Sequence, residues 1–461
     1  MKPKIRDIIL ESPSGKAEEW LRKQKNLEWA KTTSERRAKD PLLQEIKVAR
    51  NEDVDYFLNR FEELRKSKAF VAFMESCTRC GECIDKCQMF IATGDLNNSP
   101  VGRANLVRDI YRARGKIKKE DINLNSLYSY YYQCTECRRC SVFCPAGIDQ
   151  SEITRNIRNI LTDMGLIPEY VAATMAQVYK TGNNMGLKDK FIKNVTGFLE
   201  EEMLSETGKE IKIPVDMQRA EVLVVPSSAD IAVNNDTLKG YAKTLFALGK
   251  DWTLSSSATE AANFGTFASE RHMKEFGDIV VNEALSRGVK LVVWGECGHG
   301  WRTANNYVRY ELAKHGIQLR HIHQITWKAI ERGQIKVDKN KNDDLYNYHD
   351  PCNLARGGNL VNEPRYVLNA VVRETVESKF TKEKTFCCGA GGGLLADEKE
   401  WNEYRAWAGW PAVYYSWKTG SHHMVSPCAI DKAQFPYVMN FHKVDMQNHG
   451  LMDLVGYAIE L

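Results

Sequence analysis

Residues 77–87 read CTRCGECIDKC and residues 134–145 read CTECRRCSVFCP. Each stretch places three cysteines two residues apart and a fourth after three more. The sets are Cys77, Cys80, Cys83 and Cys87, then Cys134, Cys137, Cys140 and Cys144, the last followed by Pro145. Thiolates at that spacing can wrap successive corners of one inorganic cubane, because the loop turns back at each step. The fourth points away and binds the neighbouring cluster. The spacing therefore predicts two [4Fe–4S] clusters. Cys77, Cys80, Cys83 and Cys144 hold one; Cys134, Cys137, Cys140 and Cys87 hold the other. Zinc also takes paired C-x2-C knuckles, but it would leave the regular third and fourth cysteines without a use.

Working outward, Gln88 rather than proline follows Cys87, and 46 residues separate Cys87 from Cys134. That is long for a compact ferredoxin and suits the helical type, as does the helical pattern ANLVRDIYRARG at 104–115. The expected architecture is α+β and multidomain. Residues 1–70 form a helical arm, with apolar positions at helical spacing in DVDYFLNRFEEL (53–64); it either packs on a neighbour or lies solvated. Residues 71–165 form the two-cluster module, and 166–217 a helical connector ending near Pro214. Beyond it, EVLVV (221–225), VKLVVW (289–294), LYNYHD (345–350) and HHMVS (422–426) read as strands alternating with helices, which argues for parallel α/β layers. Residues 218–344 and 345–461 then read as two related halves, the first degenerate.

The 461 residues carry a net charge of +4, with 43% hydrophobic and 27% charged residues, an ordinary composition that gives no reason to expect nucleic acid. The N-terminus has no apolar signal region, and runs such as VLVV and LVVW are far too short to span a membrane. A cytoplasmic place is expected. Thirteen clustered cysteines in such a chain point to metal rather than disulfides. No G-x-G-x-x-G follows a strand, which argues against a nicotinamide or flavin site of its own.

Five cysteines remain, in WGECGHG (294–300), YHDPCNLARGG (348–358), FCCGAGGG (386–393) and VSPCAIDK (425–432). Cys387 and Cys388, adjacent in a turn, can face one inorganic core, and Gly389, Gly391 and Gly392 let the backbone approach it and offer amide donors. Cys352 and Cys428 each follow a predicted strand, at the end where α/β sheets bind ligands.

Cys352, then Cys387-Cys388-Gly389, then Cys428 resembles the cysteine-rich CCG domain of heterodisulfide reductases. With the upstream module, the chain resembles HdrD, the heterodisulfide reductase polypeptide that joins the two. It resembles still more the cytoplasmic iron–sulfur subunits of transmembrane redox complexes in sulfate reducers: HmcF of the high-molecular-weight cytochrome c complex, and DsrK of the sulfite-reduction complex. The resemblance implies a third, CCG-type noncubane [4Fe–4S] cluster, with Cys352, Cys387, Cys388 and Cys428 as ligands. The family motif ends in C-x2-C, whereas Asp431 stands at the last position here. Cys297, also past a strand, is either a substitute ligand or a buried thiol. His299 and His349 are either proton donors for a disulfide under reduction or ordinary hydrogen-bonded histidines. His422 and His423 read as structural, and the tryptophans between 401 and 417 as helix packing.

The resemblance implies an electron-transfer subunit, peripheral on the cytoplasmic face of the membrane, passing electrons between the two cubanes and the CCG centre. Its partners would be cytochrome- or quinone-linked membrane subunits. The alternative is a catalytic disulfide reductase acting on a small thiol or disulfide protein or molecule. More remote is an electron-accepting subunit beside a flavin dehydrogenase.

Overall fold

Two parallel four-stranded sheets of the same connectivity organise the C-terminal part of the chain. The computed structural model describes residues 5–25, 36–395 and 399–461; the arm's residues 1–4 and 26–35 lie outside the described residues. In the first sheet, β1 (Val222–Val225), β2 (Trp252–Leu254), β3 (Leu291–Trp294) and β4 (Gln318–His321) pair in the order β2-β1-β3-β4. After β5 (Lys336–Val337), the second sheet contains β6 (Leu345–Tyr348), β7 (Glu374–Val376), β8 (His423–Val425) and β9 (Gln447–His449), in the order β7-β6-β8-β9. All pairings within both sheets are parallel, with Val222 opposite Leu291 and Tyr346 opposite His423. β1 is buried along its whole length, as expected of a parallel strand covered on both faces.

The two sheets share a core that includes Val222, Val224, Tyr348 and Val425. Helix Asn235–Ala247 of the first half crosses helix Leu451–Ala458 of the second so closely that a Cβ on Gly240 would lie 2.0 Å from the Met452 carbonyl oxygen. Only a glycine permits that approach. Helix Ile322–Glu331 meets helix Asn362–Val371 in the corresponding way. β10 (Ile459–Glu460) then pairs antiparallel with β5, tying the chain's end to the segment between the sheets.

The cysteine loops of the N-terminal part are separated and followed by capped helices. Ser99 caps Pro100–Ala113 by accepting from the Gly102 N–H, with Pro100 at the first position, where its missing N–H has no cost. Asn123 caps Leu124–Tyr132, and Asp149 caps Gln150–Asp163. Helix Val54–Leu64 buries Phe57 and Phe61, and Phe61 meets Phe70 edge-on. Trp20 stacks on Trp407 at 6.0 Å and donates to the Ala92 carbonyl; Trp410 donates to the Ile8 carbonyl. These described parts of the arm are therefore packed between the cysteine module and helix Lys399–Trp417. The connector forms helices Glu169–Thr181 and Asp189–Thr207, the second adding Ile192, Leu199 and Met203 to the core around β1.

Candidate functional site

The two cysteine loops make the same turns. Arg79 and Gly81 in the first, and Glu136 and Arg138 in the second, all have positive φ, between 52° and 86°. A non-glycine residue in that region costs about 1 kcal/mol, which marks these loops as held by their surroundings. One cavity is lined by Cys77, Cys80, Cys83, Cys140 and Cys144. A second is lined by Cys87, Cys134, Cys137 and Cys140. Cys87 and Cys144 thus each face the cavity of the other loop. Cys80 is exposed, whereas Cys87 and Cys137 are buried. Burial pushes the Cys83 thiol up to about 11.

Buried guanidinium groups surround the second cavity, a feature that hydrophobic periodicity could not announce. Arg103, 4% exposed, places Nη2 at 3.7 Å from Cys87 Sγ and donates through Nη1 to the Asn98 carbonyl. Burial works against its charge, but Cys134 and Cys87 raise its pKa above the ordinary arginine value. Arg356 donates to the Cys137 carbonyl at 2.6 Å and to the Thr385 carbonyl at 2.9 Å. Arg158 pairs with Glu136 at 2.9 Å and donates to the carbonyls of Tyr131, Cys134 and Gly392. Burial first, and then neighbouring cations, lower Arg139 and Arg302 to about 10. Buried cations call for anionic partners, and these walls suit a negatively charged thiolate cluster.

The third group of cysteines gathers at the carboxyl ends of β6, β7 and β8. Cys352 opens the π-helical turn Asn353–Gly357, Cys387 and Cys388 lie in the turn before helix Lys399–Trp417, and Cys428 is the N-cap of helix Ala429–His442. All four are buried. Cys387 Sγ accepts from the Gly389 N–H at 3.5 Å and lies beside the thiols of Cys137, Cys352 and Cys388. These neighbours hold its pKa well below the ordinary thiol value. The same contact, together with burial, pushes the three partner thiols up. Cys137, from the second loop, thus belongs to this contact group.

Cys428 Sγ accepts from the Gly298 N–H at 3.4 Å, which brings it to the loop of Cys297. Cys297 and Cys428 occupy corresponding places, each three residues past the third strand of its half. Burial raises the Cys297 thiol further than the nearby Cys428 and Glu260 do. Among the described residues, no three Cys, His, Asp or Glu side chains converge on a point fit for a single metal ion.

Gly391 and Gly392 approach the second cysteine loop. A Cβ on Gly391 would lie 2.6 Å from His299 Cε1, and one on Gly392 2.6 Å from the Cys134 carbonyl oxygen. His299 is buried, 2.8 Å from Asn353 Nδ2 and edge-on to Phe267; burial and then Arg302 lower its pKa to about 4. Burial lowers His349 to about 3; its Nε2 lies 3.8 Å from Asp431 Oδ2. Both imidazoles are therefore neutral near neutral pH. Asp431, buried against Cys388, is pushed up to about 7 by burial. His422 is exposed, and His423 stacks on His449.

A buried polar network, unread in the sequence, braces Cys297 and Cys428. Glu296 accepts from His323 Nε2 and the Met452 N–H, while Lys432 reaches Asp230 at 2.9 Å and Glu296 at 3.3 Å. An open cleft of about 860 Å³, lined by Arg138, Val142, Trp327, Arg356, Glu363 and Lys382 among others, runs beside the Cys352 turn. Among the described residues, no helix is long and apolar enough to cross a membrane.

Two known domain families match parts of the chain. Residues 73–148 match the 4Fe-4S dicluster domain, and residues 346–408 the cysteine-rich domain known as CCG. The chain is 34% identical to the Hdr-like menaquinol oxidoreductase iron-sulfur subunit 2 of Archaeoglobus fulgidus, over 88% of this chain and 83% of that protein. It is 35% identical to the Hdr-like menaquinol oxidoreductase iron-sulfur subunit of Archaeoglobus profundus, with the same coverage. It is 25% identical to the HdrD polypeptide of the dihydromethanophenazine:CoB–CoM heterodisulfide reductase of Methanosarcina barkeri, over 84% of this chain and 94% of that one.

Proposed function

The chain belongs to the Hdr-like iron–sulfur subunits, and on that premise we propose that it conducts electrons singly along three thiol-lined sites in the order in which they lie. That it is an iron–sulfur electron-transfer subunit follows from the family and its domains. The finer reading concerns the route. Clusters, when bound, supply reversible one-electron storage. The residues of the chain hold, insulate and connect them.

The observation that carries this reading is the approach of Cys137 to Cys387, with Arg356 of the Cys352 turn donating to the Cys137 carbonyl at 2.6 Å. It joins the second cysteine loop to the CCG turn through two side chains. Exposed Cys80 makes the first loop the port to an outside partner. Arg103, Arg158 and Arg356 balance negative charge along the buried part of the route. The N–H groups of Gly389 and Gly298 do the same for Cys387 and Cys428. The partner is a membrane redox complex, quinone- or cytochrome-linked, met from the cytoplasmic face, a place like that of HmcF and DsrK. The name of the Archaeoglobus fulgidus relative supports the quinol assignment.

A second reading, reduction of a disulfide to two thiols with two electrons and two protons, is favoured by the open cleft beside the Cys352 turn. The burial of Cys352, Cys387 and Cys388 favours the relay. Iron analysis and EPR of wild type and Cys387→Ser test the route. The relay predicts about 12 iron per chain falling to about 8, with both cubane signals kept. Equal iron in the two proteins would refute a third centre at Cys387. Oxidation of a reduced viologen by added disulfides would establish the second reading.

A further inference from the structure

Asp431 stands three residues past Cys428, in the first turn of helix Ala429–His442. An acid there commonly serves its helix by accepting the N-cap N–H, as in a capping box. Here the Cys428 N–H donates instead to the Ser426 carbonyl, and the Ile430 and Asp431 N–H groups are directed at Cys428 Sγ. The carboxyl of Asp431 turns inward and is 3% exposed. It meets the Cys388 thiol, and Cys387 lies close enough to act on its charge. Its Oδ2 has no hydrogen-bond partner. The nearest basic group, His349 Nε2, lies at 3.8 Å, beyond hydrogen-bond reach, and also has no partner.

A buried carboxylate oxygen left unsatisfied is destabilising, and proteins normally pair such groups or bind them to metal. Hydrogen bonds of the helix do not account for Oδ2, and its surroundings are metal-type thiols. Cys297 offers less: its contacts are the Gly300 N–H, Asn263 and Cys428.

We propose that the Asp431 carboxylate is an iron ligand of the third centre, completing with one oxygen a set otherwise made of thiolates. This rests on the reading that Cys352, Cys387, Cys388 and Cys428 hold such a centre. A carboxylate is a harder and weaker donor than a thiolate. Replacing thiolate by a weaker donor raises a cluster's potential, as imidazole does in Rieske centres. The centre here therefore has a higher potential than its all-thiolate counterpart.

The test uses the full chain, loaded anaerobically with iron and sulfide and labelled with carboxyl-13C aspartate. Pulsed ENDOR on the third signal is expected to show a 13C coupling in wild type that is absent in Asp431→Cys. That variant keeps the third signal at a lower midpoint potential, whereas Asp431→Ala loses it. The two cubane signals report whether each variant has folded. A wild-type third signal without 13C coupling, or an Asp431→Ala protein with the third signal and its potential unchanged, overturns the proposal. A wild type with no third signal and only about 8 iron per chain removes the underlying reading as well, and is thereby told apart from failure of the ligand alone.

Discussion

Replacing Arg103 with glutamine removes one positive charge from the wall of the second cavity and, the side chain being shorter, the hydrogen bond to the Asn98 carbonyl as well. Arg103 Nη2 lies 3.7 Å from Cys87 Sγ, and the whole side chain is buried. A cluster centred beyond its sulfurs places the transferred electron about 6 Å from the guanidinium, where an effective dielectric constant of about 20 gives about 2.8 kcal/mol. For one electron that is about 120 mV. Reduction adds negative charge, so Arg103 favours the reduced form and its loss lowers the potential. The assay is an EPR-monitored redox titration of wild type, Arg103→Gln and Arg103→Lys. The cluster held by Cys87, Cys134, Cys137 and Cys140 should fall by about 120 mV in the first variant and by less than half that in the second. The cluster of the Cys77 loop should move less. A rise, or a fall below about 30 mV, would refute the assignment of Arg103 as an electrostatic partner of that cluster.

Arg158→Met leaves Glu136 buried without its cation and should cost about 3–5 kcal/mol in chemical denaturation. Adding Glu136→Gln should recover part of that loss. Gly392→Ala sets a Cβ 2.6 Å from the Cys134 carbonyl oxygen at a residue with φ of +65°. It should broaden the signals of both the second cubane and the third centre while leaving the first cubane unchanged. His442 is buried, hydrogen-bonded to Ser12 and the Ala406 carbonyl, and held at about 4 by burial. Its folded value lies below its unfolded one, so its contribution to stability is complete above about pH 6.5 and is lost as pH falls toward 4. The loss reaches about 3 kcal/mol. Denaturation curves of wild type and His442→Gln between those pH values should differ in slope, the variant being flatter.

Cysteine spacing pointed to two interleaved sets of four, because C-x2-C-x2-C-x3-C limits where a loop can turn. In the structure Cys144 lines the cavity of the first loop and Cys87 that of the second, while Cys140 lines both. The runs that hold β1, β3, β6 and β8 were also legible. β2, β4, β7 and β9 were not; they are no shorter than β8, but β4 (QLRH), β7 (ETV) and β9 (QNH) are largely polar. Their place is set by the neighbouring strands rather than by their own pattern. The approach of Cys137 to Cys387 joins distant parts of the chain and leaves no local trace. Arg103 and Arg158 sit in helices whose charges look like those of a solvated face until the packing is known. Asp431 was visible as a departure from a motif, but its contact with Cys388 and its unpartnered oxygen belong to the fold alone.

The proposed route depends most on the closeness of the second cysteine set to the CCG set. Power-saturation EPR on partly reduced protein measures it directly, since neighbouring paramagnets relax one another. The signal of the cluster held by Cys87, Cys134, Cys137 and Cys140 should be split or fast-relaxing whenever the third centre is paramagnetic. In Cys387→Ser it should become slow-relaxing with respect to that centre. A signal that saturates identically in wild type and Cys387→Ser would contradict the route through Cys137 and Cys387.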